Sequence, residues 1–111
     1  MELKTRHVNN VLVLELDGRF DTQTVQSVRE LIRNATSGEP AQLVVNLEGV
    51  HFVDSTALSA LVEGMKRSRQ LSGDLRLCNL QQPVRMIFEL TRLDRAFEIF
   101  TNEEEAIQAF N

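Results

Sequence analysis

The stretch Val44–Leu61, VVNLEGVHFVDSTALSAL, decides the fold because the spacing of its apolar residues changes partway along. It begins within a near-continuous apolar run, Gln42–Leu47, which is typical of a strand in a parallel sheet covered by helices. A helix is predicted to begin around residues 54–56, with apolar residues three and four apart on its inner face: Leu58, Leu61, Val62 and Met65. Glu48–Val53 is predicted to be a loop that links the strand to the helix.

The chain before this stretch predicts a hairpin followed by a helix. A short, polar edge strand over Glu2–His7 precedes a buried strand over Val8–Leu16. Asparagines at residues 9–10 tolerate the positive φ of a tight turn between them. The apolar period then changes to that of an amphipathic helix, with Asp21 or Thr22 predicted as its N-cap.

After this stretch, strands and helices continue to alternate along the chain. The sequence there predicts a core strand over Asp74–Asn79, a helix with Pro83 in its first turn, and a short strand over Phe97–Phe100. Thr101 and Asn102 each precede a glutamate by three residues, which is the spacing of a capping box for a last helix. The order β-β-α-β-α-β-α-β-α predicts an α/β fold, a mixed four- to five-stranded sheet with amphipathic helices packed against it.

Composition narrows the class of protein. A length of 111 residues predicts one domain, residues 1–111. The net charge of −4 and the absence of Trp and Tyr argue against direct nucleic-acid binding. The single cysteine, Cys78, is expected to be a small buried residue, and His7 and His51 lack the spacing of a metal site, so no metal or cofactor is expected. Because no apolar run reaches the roughly 18 residues of a membrane span, and the N-terminus has no signal core, we expect a cytoplasmic protein.

Residues 54–56 admit two interpretations. In the first, the trio serves only to begin a helix, since Asp, Ser and Thr are preferred N-cap residues. Alternatively, the free N–H groups of a helix N-terminus favour an anion, so a hydroxyl at Ser55 would be well placed for phosphorylation. His51 lies four residues before Ser55, but the chain lacks a Gly-x-Ser-x-Gly motif, so it is not expected to be an enzyme. Phe52 is expected mainly in the core, with a role as a partner anchor as the alternative.

Two motifs resemble those of a known family. The stretch Val44–Leu61 resembles the signature of STAS domains, and most resembles that of the small bacterial anti-sigma factor antagonists, in which Asp-Ser-Ser/Thr-Gly-Leu-Gly opens a helix. The segment Leu16–Asp21, LDGRFD, resembles the family's Gly-x-Leu-Asp corner before its first helix. Three positions depart from the family pattern: Asn46 stands where Asp is common, and Ala57 and Ser59 stand where Gly is common.

The resemblance implies a partner switch. Ser55 matches the serine that a partner kinase phosphorylates, and Thr56 matches the next hydroxyl, a candidate secondary phosphoacceptor. Asp21 and Asp54 match acidic residues beside it; with Ser55, Thr56 and Ser59 they form the expected partner-binding set. The implied partners are a serine-kinase anti-sigma factor, which holds the ATP and Mg²⁺, and a metal-dependent serine phosphatase. The alternative is a non-phosphorylated STAS scaffold or a cytoplasmic subunit of a lipid or anion transport complex.

Overall fold

A five-stranded mixed sheet organises the protein in the computed structural model, which describes residues 1–110. The strands lie in the order β1-β2-β3-β4-β5; β1 is antiparallel to β2, and all the other neighbours are parallel. The elements are β1 (Glu2–Val8), β2 (Val11–Phe20), α1 (Val25–Ala35), β3 (Gln42–Val53), α2 (Ser55–Gln70), β4 (Asp74–Cys78), α3 (Gln82–Leu90), a 3₁₀ turn (Leu93–Arg95), β5 (Ile99–Phe100) and α4 (Glu103–Gln108). The predicted fold class and element order are confirmed, with the 3₁₀ turn as an addition.

One face of the sheet carries the larger core, beneath α1, α2 and α3. Alternate residues of β2, β3 and β4 supply the sheet side of this core: Leu14, Leu16, Leu43, Val45, Leu47, Leu75 and Leu77. Gly64 lets α2 approach both the sheet and α1, because a Cβ there would lie 2.8 Å from Leu75 Cδ1 and 2.9 Å from Ile32 Cγ2. The inner faces predicted for the helices therefore meet a single apolar layer.

Both central strands run further than the sequence predicts. Glu48–Val53, predicted as a loop, continues β3, and β2 extends to Phe20 beside it. After a register shift, Asp17 pairs with Gly49. A Cβ at residue 49 would lie only 2.9 Å from Asp17 Cγ, so the close approach of the two strands at this point requires glycine. Val53, at the end of the extension, is buried. The extension carries the ends of β2 and β3 beyond β4, whose pairing with β3 stops at Asn46 and Cys78.

Two further predicted boundaries were wrong for local reasons. Val8 belongs to β1 and pairs with Val11, because Asn9 and Asn10 both adopt positive φ in a two-residue turn. Helix α1 begins at Val25, because the backbone over residues 21–24 closes a hydrogen-bonded turn before it. Neither Asp21 nor Thr22 is therefore the N-cap of α1. The strands predicted over Asp74–Asn79 and Phe97–Phe100 are also shorter in the structure, at Asp74–Cys78 and Ile99–Phe100.

The other face of the sheet is covered by α4. Its apolar contacts join strand residues to helix residues: Val11, Val13, Val44, Cys78, Ala106 and Ile107. The cap predicted at Asn102 is confirmed, since its Oδ1 accepts the Glu105 N–H at 2.9 Å. Beneath the start of α4, the Asn46 amide donates to Glu103 Oε1 at 3.3 Å, and Arg6 forms ion pairs with Glu103 and Glu15. Asn46 thus supplies a donor where an aspartate would face a second carboxylate.

We predict that Asn46→Asp destabilises the protein by about 1–3 kcal/mol at neutral pH, because a nearly buried donor is replaced by a charge beside Glu103. The loss should shrink as the pH falls towards about 4, the ordinary range for an aspartate, because protonation of the introduced residue removes its charge. Urea unfolding at both pH values measures it. The double variant Asn46→Asp/Glu103→Gln, which restores an amide–carboxylate pair in the reverse sense, should recover part of the stability, since it also loses the Arg6–Glu103 ion pair. An unchanged unfolding midpoint in the single variant would contradict this role.

Cys78 is fully buried under α4, and burial raises the pKa of its thiol to about 12. Because the thiolate is the reactive form, we predict no reaction with a disulfide reagent at pH 8 in the native state and full reaction in denaturant. The absorbance of the thiol released from the reagent measures the reaction in the native and the denatured protein. Rapid stoichiometric labelling of the native protein would show that α4 does not cover this face in solution.

Candidate functional site

The two sequence motifs meet at the carboxyl ends of β2 and β3. These strands are parallel, and their last paired residues are Phe20 and Val53. The Asp54 N–H donates to the Phe20 carbonyl at 3.3 Å, immediately before α2 begins. The loop after β2 and the first turn of α2 therefore lie side by side.

The Asp54 side chain joins these two segments. Asp54 is the N-cap of α2, and its Oδ1 accepts the Ala57 N–H at 2.9 Å. Its Oδ2 accepts the Thr22 N–H at 2.9 Å and the Thr22 hydroxyl at 3.0 Å. The capping interpretation of Asp54 is confirmed, and the same carboxylate also fastens the β2–α1 loop to the helix.

The two predicted phosphoacceptors lie in different environments. Ser55 is the first residue of α2 and is exposed, and its hydroxyl forms no hydrogen bond with another residue in the described part of the chain. Thr56 is half-buried, and its Oγ1 lies 3.0 Å from Thr22 Oγ1. Of these two hydroxyls, that of Ser55 is the one that faces solvent without a hydrogen bond to another described residue.

The next residues of α2 differ in exposure. Ser59, four residues after Ser55, is exposed on the same side of the helix. Ala57 is fully buried, so its methyl group lies among core residues and does not face a partner. The side of α2 that reaches solvent at this end therefore presents two serine hydroxyls.

Asp21 serves the shape of its own loop. Its Oδ1 accepts the Gln23 N–H at 3.0 Å, and its Oδ2 lies 3.4 Å from Arg19 Nε. The side chain of Asp21 is only 15% exposed. Its carboxylate holds the turn that presents Thr22 to Asp54.

Sequence reasoning missed Arg19 and misplaced Phe52. The Arg19 guanidinium lies 3.9 Å from the centroid of the Phe52 ring, a cation–π contact beside the site. Phe52 is half-buried, so the expectation that it belongs mainly to the core was wrong. The two residues are register partners on β2 and β3, a relation visible only once the strand extension is known. Thr22 was interpreted as a helix cap, and its partnership with Asp54 leaves no local signal in the sequence.

Two kinds of structure are absent from residues 1–110. No three His, Cys, Asp or Glu side chains in this range come together to hold a metal ion. None of the helices in this range has the length and apolar composition to cross a membrane.

Comparison with known proteins gives the family. The STAS domain family matches residues 2–106. The chain belongs to the STAS domain family. This STAS domain is 25% identical over 108 residues to the anti-sigma F factor antagonist of Paenibacillus polymyxa, covering 96% of this chain and 92% of the relative. It is 30% identical over 105 residues to the anti-sigma-B factor antagonist of Listeria monocytogenes, covering 95% and 91%.

A solved structure extends the comparison. The structure of the Bacillus cell fate determinant SpoIIAA in the phosphorylated form is similar to this STAS domain with a TM-score of 0.76 and 25% identity. The similarity covers 99% of this chain and all of that one. The family expected from the two sequence motifs is therefore confirmed.

Hydrogen bonds perturb the Asp54 carboxyl in this STAS domain. The N–H of Ala57, followed by the backbone and hydroxyl donors of Thr22, holds the pKa of Asp54 below its ordinary value, while desolvation acts in the opposite direction. Because the pKa is lower in the folded protein, the stabilisation is fully present above the ordinary aspartate pKa of about 3.9. It is lost as the pH falls through the folded-state pKa.

We therefore predict that Asp54→Asn is less stable than the wild type at pH 7 and that the difference narrows below about pH 4. Urea unfolding followed by circular dichroism from pH 7 to pH 3 measures it. Asp94→Asn, at an exposed aspartate of the 3₁₀ turn, is the control and should track the wild type. A constant difference between Asp54→Asn and wild type across this range would refute the pH linkage.

Proposed function

We propose that this STAS domain is an anti-sigma factor antagonist that binds a serine-kinase anti-sigma factor and is released when Ser55 is phosphorylated. The observation that carries the proposal is the exposed, unengaged hydroxyl of Ser55 at the first position of α2. Two relatives named as anti-sigma factor antagonists and the phosphorylated SpoIIAA structure support it. We define residues 19–24 and 52–59 as the docking surface.

The proposed chemistry requires only an acceptor from this chain. Ser55 Oγ forms a bond to the γ-phosphorus of ATP held with Mg²⁺ by the kinase, the bond from that phosphorus to the β,γ-bridging oxygen breaks, and ADP leaves. The hydroxyl proton passes to a base of the kinase. A metal-dependent serine phosphatase reverses the state: water attacks the phosphorus, the bond from phosphorus to Ser55 Oγ breaks, the serine oxygen regains a proton and inorganic phosphate leaves. The STAS domain acts as a binding protein and not as an enzyme.

The fold can accept this phosphate without rearranging. A phosphoserine adds about −1.5 to −2 charges at neutral pH. At a helix N-terminus a negative charge is favoured by up to about 2 kcal/mol, and the neighbouring Asp54 carboxylate opposes part of that gain. Since the chain already carries a net charge of −4, the addition has to act locally.

The effect on binding is proposed to arise at the interface. A like-charge contact between two proteins costs several kcal/mol, and about 1.4 kcal/mol already changes affinity tenfold. In this account Ser55 and Ser59 meet the partner directly. Asp21, Asp54 and Thr56, whose side chains bond within the site, hold the docking surface in shape.

We predict that Ser55→Asp weakens binding to the serine-kinase anti-sigma factor encoded in the same genome by at least about tenfold, because a charge enters the interface. Ser37→Asp is the matched control, since this exposed serine precedes the amino end of β3, at the other end of the strand from Ser55, and the substitution adds the same charge. Isothermal titration calorimetry measures both. Equal affinities for wild type and Ser55→Asp would refute the electrostatic release.

The same partner distinguishes the proposal from a non-phosphorylated scaffold. With kinase and ATP, the wild type should gain a phosphate on Ser55 that is absent from Ser55→Ala, as read by mass spectrometry. A wild-type protein that binds the kinase and gains no phosphate would favour the scaffold role.

A further inference from the structure

We infer that Thr22 selects which hydroxyl at the start of α2 is phosphorylated: its side chain engages the Thr56 hydroxyl and leaves that of Ser55 free. The inference rests on the proposed function and adds to it a specificity-determining residue outside the signature stretch. Thr22 lies 34 residues from Thr56 in the sequence and reaches it from the β2–α1 loop.

The direction of the hydrogen bonds follows from the groups involved. An ionised Asp54 carboxylate can only accept, so the Thr22 hydroxyl, 3.0 Å from Oδ2, must donate to it. A hydroxyl has one proton, so Thr22 Oγ1 can only accept at its second contact. The Thr56 hydroxyl, 3.0 Å away, is therefore the donor to Thr22. The result is a directed chain from Thr56 through Thr22 to Asp54.

This chain separates two hydroxyls that are neighbours in sequence. Transfer to Thr56 requires its Oγ1 to bond the γ-phosphorus of ATP while its proton passes to a base of the kinase and ADP leaves. The proton of Thr56 is already donated to Thr22, so the contact must break before the oxygen can turn to an incoming phosphate. Ser55 has no such contact within the described residues and is exposed.

Thr22 is suited to a test because its hydroxyl can be removed without disturbing the core. Its side chain is exposed, and its backbone N–H donates to Asp54 Oδ2 at 2.9 Å independently of the hydroxyl. Thr22→Val keeps the shape of the side chain and the N–H contact but loses the chain of hydrogen bonds from Thr56 to Asp54. Thr22→Ser keeps the hydroxyl and is the matched control.

The experiment measures phosphate on Thr56 in the Ser55→Ala background, with the serine-kinase anti-sigma factor of the same genome and ATP, by phosphopeptide mass spectrometry. Adding Thr22→Val should raise the initial rate of Thr56 phosphorylation about two- to tenfold, the factor that corresponds to breaking one neutral hydrogen bond. Thr22→Ser, which keeps the hydroxyl, should give a smaller increase than Thr22→Val, and the rates are compared at saturating kinase because Thr22 lies within the docking surface. Circular dichroism confirms folding of each variant.

A second readout needs no kinase. Carboxyl-carbon NMR titration should show a higher pKa for Asp54 in Thr22→Val than in the wild type or Thr22→Ser, because one donor to the carboxylate is gone. An Asp54 pKa that is the same in Thr22→Val and the wild type would show that the chain of hydrogen bonds is absent in solution and would overturn the inference.

The outcomes separate this inference from the proposed function. If wild-type Ser55 is phosphorylated but Thr56 gains no more phosphate with Thr22→Val than without it, the selection by Thr22 is wrong and the partner switch stands. If Thr22→Ser behaves like Thr22→Val, the hydroxyl is not the cause and the inference is likewise overturned. If the wild type gains no phosphate at all, the proposed function fails, and the inference fails with it.

Discussion

The Asp54 carboxylate is the interaction on which the rest of the site depends. Its two oxygens accept from two segments: Ala57 in the first turn of α2, and Thr22 in the loop after β2, 32 residues before Asp54. Helix capping alone would require only the first of these contacts. Because one side chain makes both, the start of α2 and the neighbouring loop form a single surface. Ser55 is presented at the edge of that surface with its hydroxyl free.

The sheet sets where this surface can form. Strands β2 and β3 extend past the end of β4, and Gly49 permits the close approach that keeps their extensions paired. The opposite face is closed by α4 through an apolar patch and the Asn46–Glu103 contact. Ligands of open α/β sheets commonly bind at the carboxyl ends of parallel strands, and the proposed docking surface lies at this end.

Apolar periodicity was sufficient to predict the order of elements, because each strand and helix buries a continuous stripe of its own residues. It failed at Glu48–Val53, where pairing with the end of β2 keeps the chain extended through a glycine and two polar residues. It also failed at residues 21–24, where a local turn replaces the first turn of α1. The first error concerns contacts made outside the segment itself, and the second concerns a turn closed within it.

The candidate site, like the fold, could be predicted in part from the sequence. Ser55 and Asp54 could be identified because a strand-to-helix junction with a capping residue is recognisable from the sequence. Thr22 and the Arg19–Phe52 pair could not, since their roles depend on strand register and on a hydrogen bond across the site. Such contacts carry no periodic signal, and only the folded arrangement identifies them.

The most direct test of the account is the footprint of the partner on this protein. Amide NMR spectra of the labelled, unphosphorylated protein, recorded during titration with the serine-kinase anti-sigma factor, would locate it residue by residue. Perturbed amide resonances are expected to concentrate on the docking surface, residues 19–24 and 52–59, while the resonances of the α4 face stay unchanged. Perturbations centred on α4 and β1, with the docking surface unaffected, would contradict it.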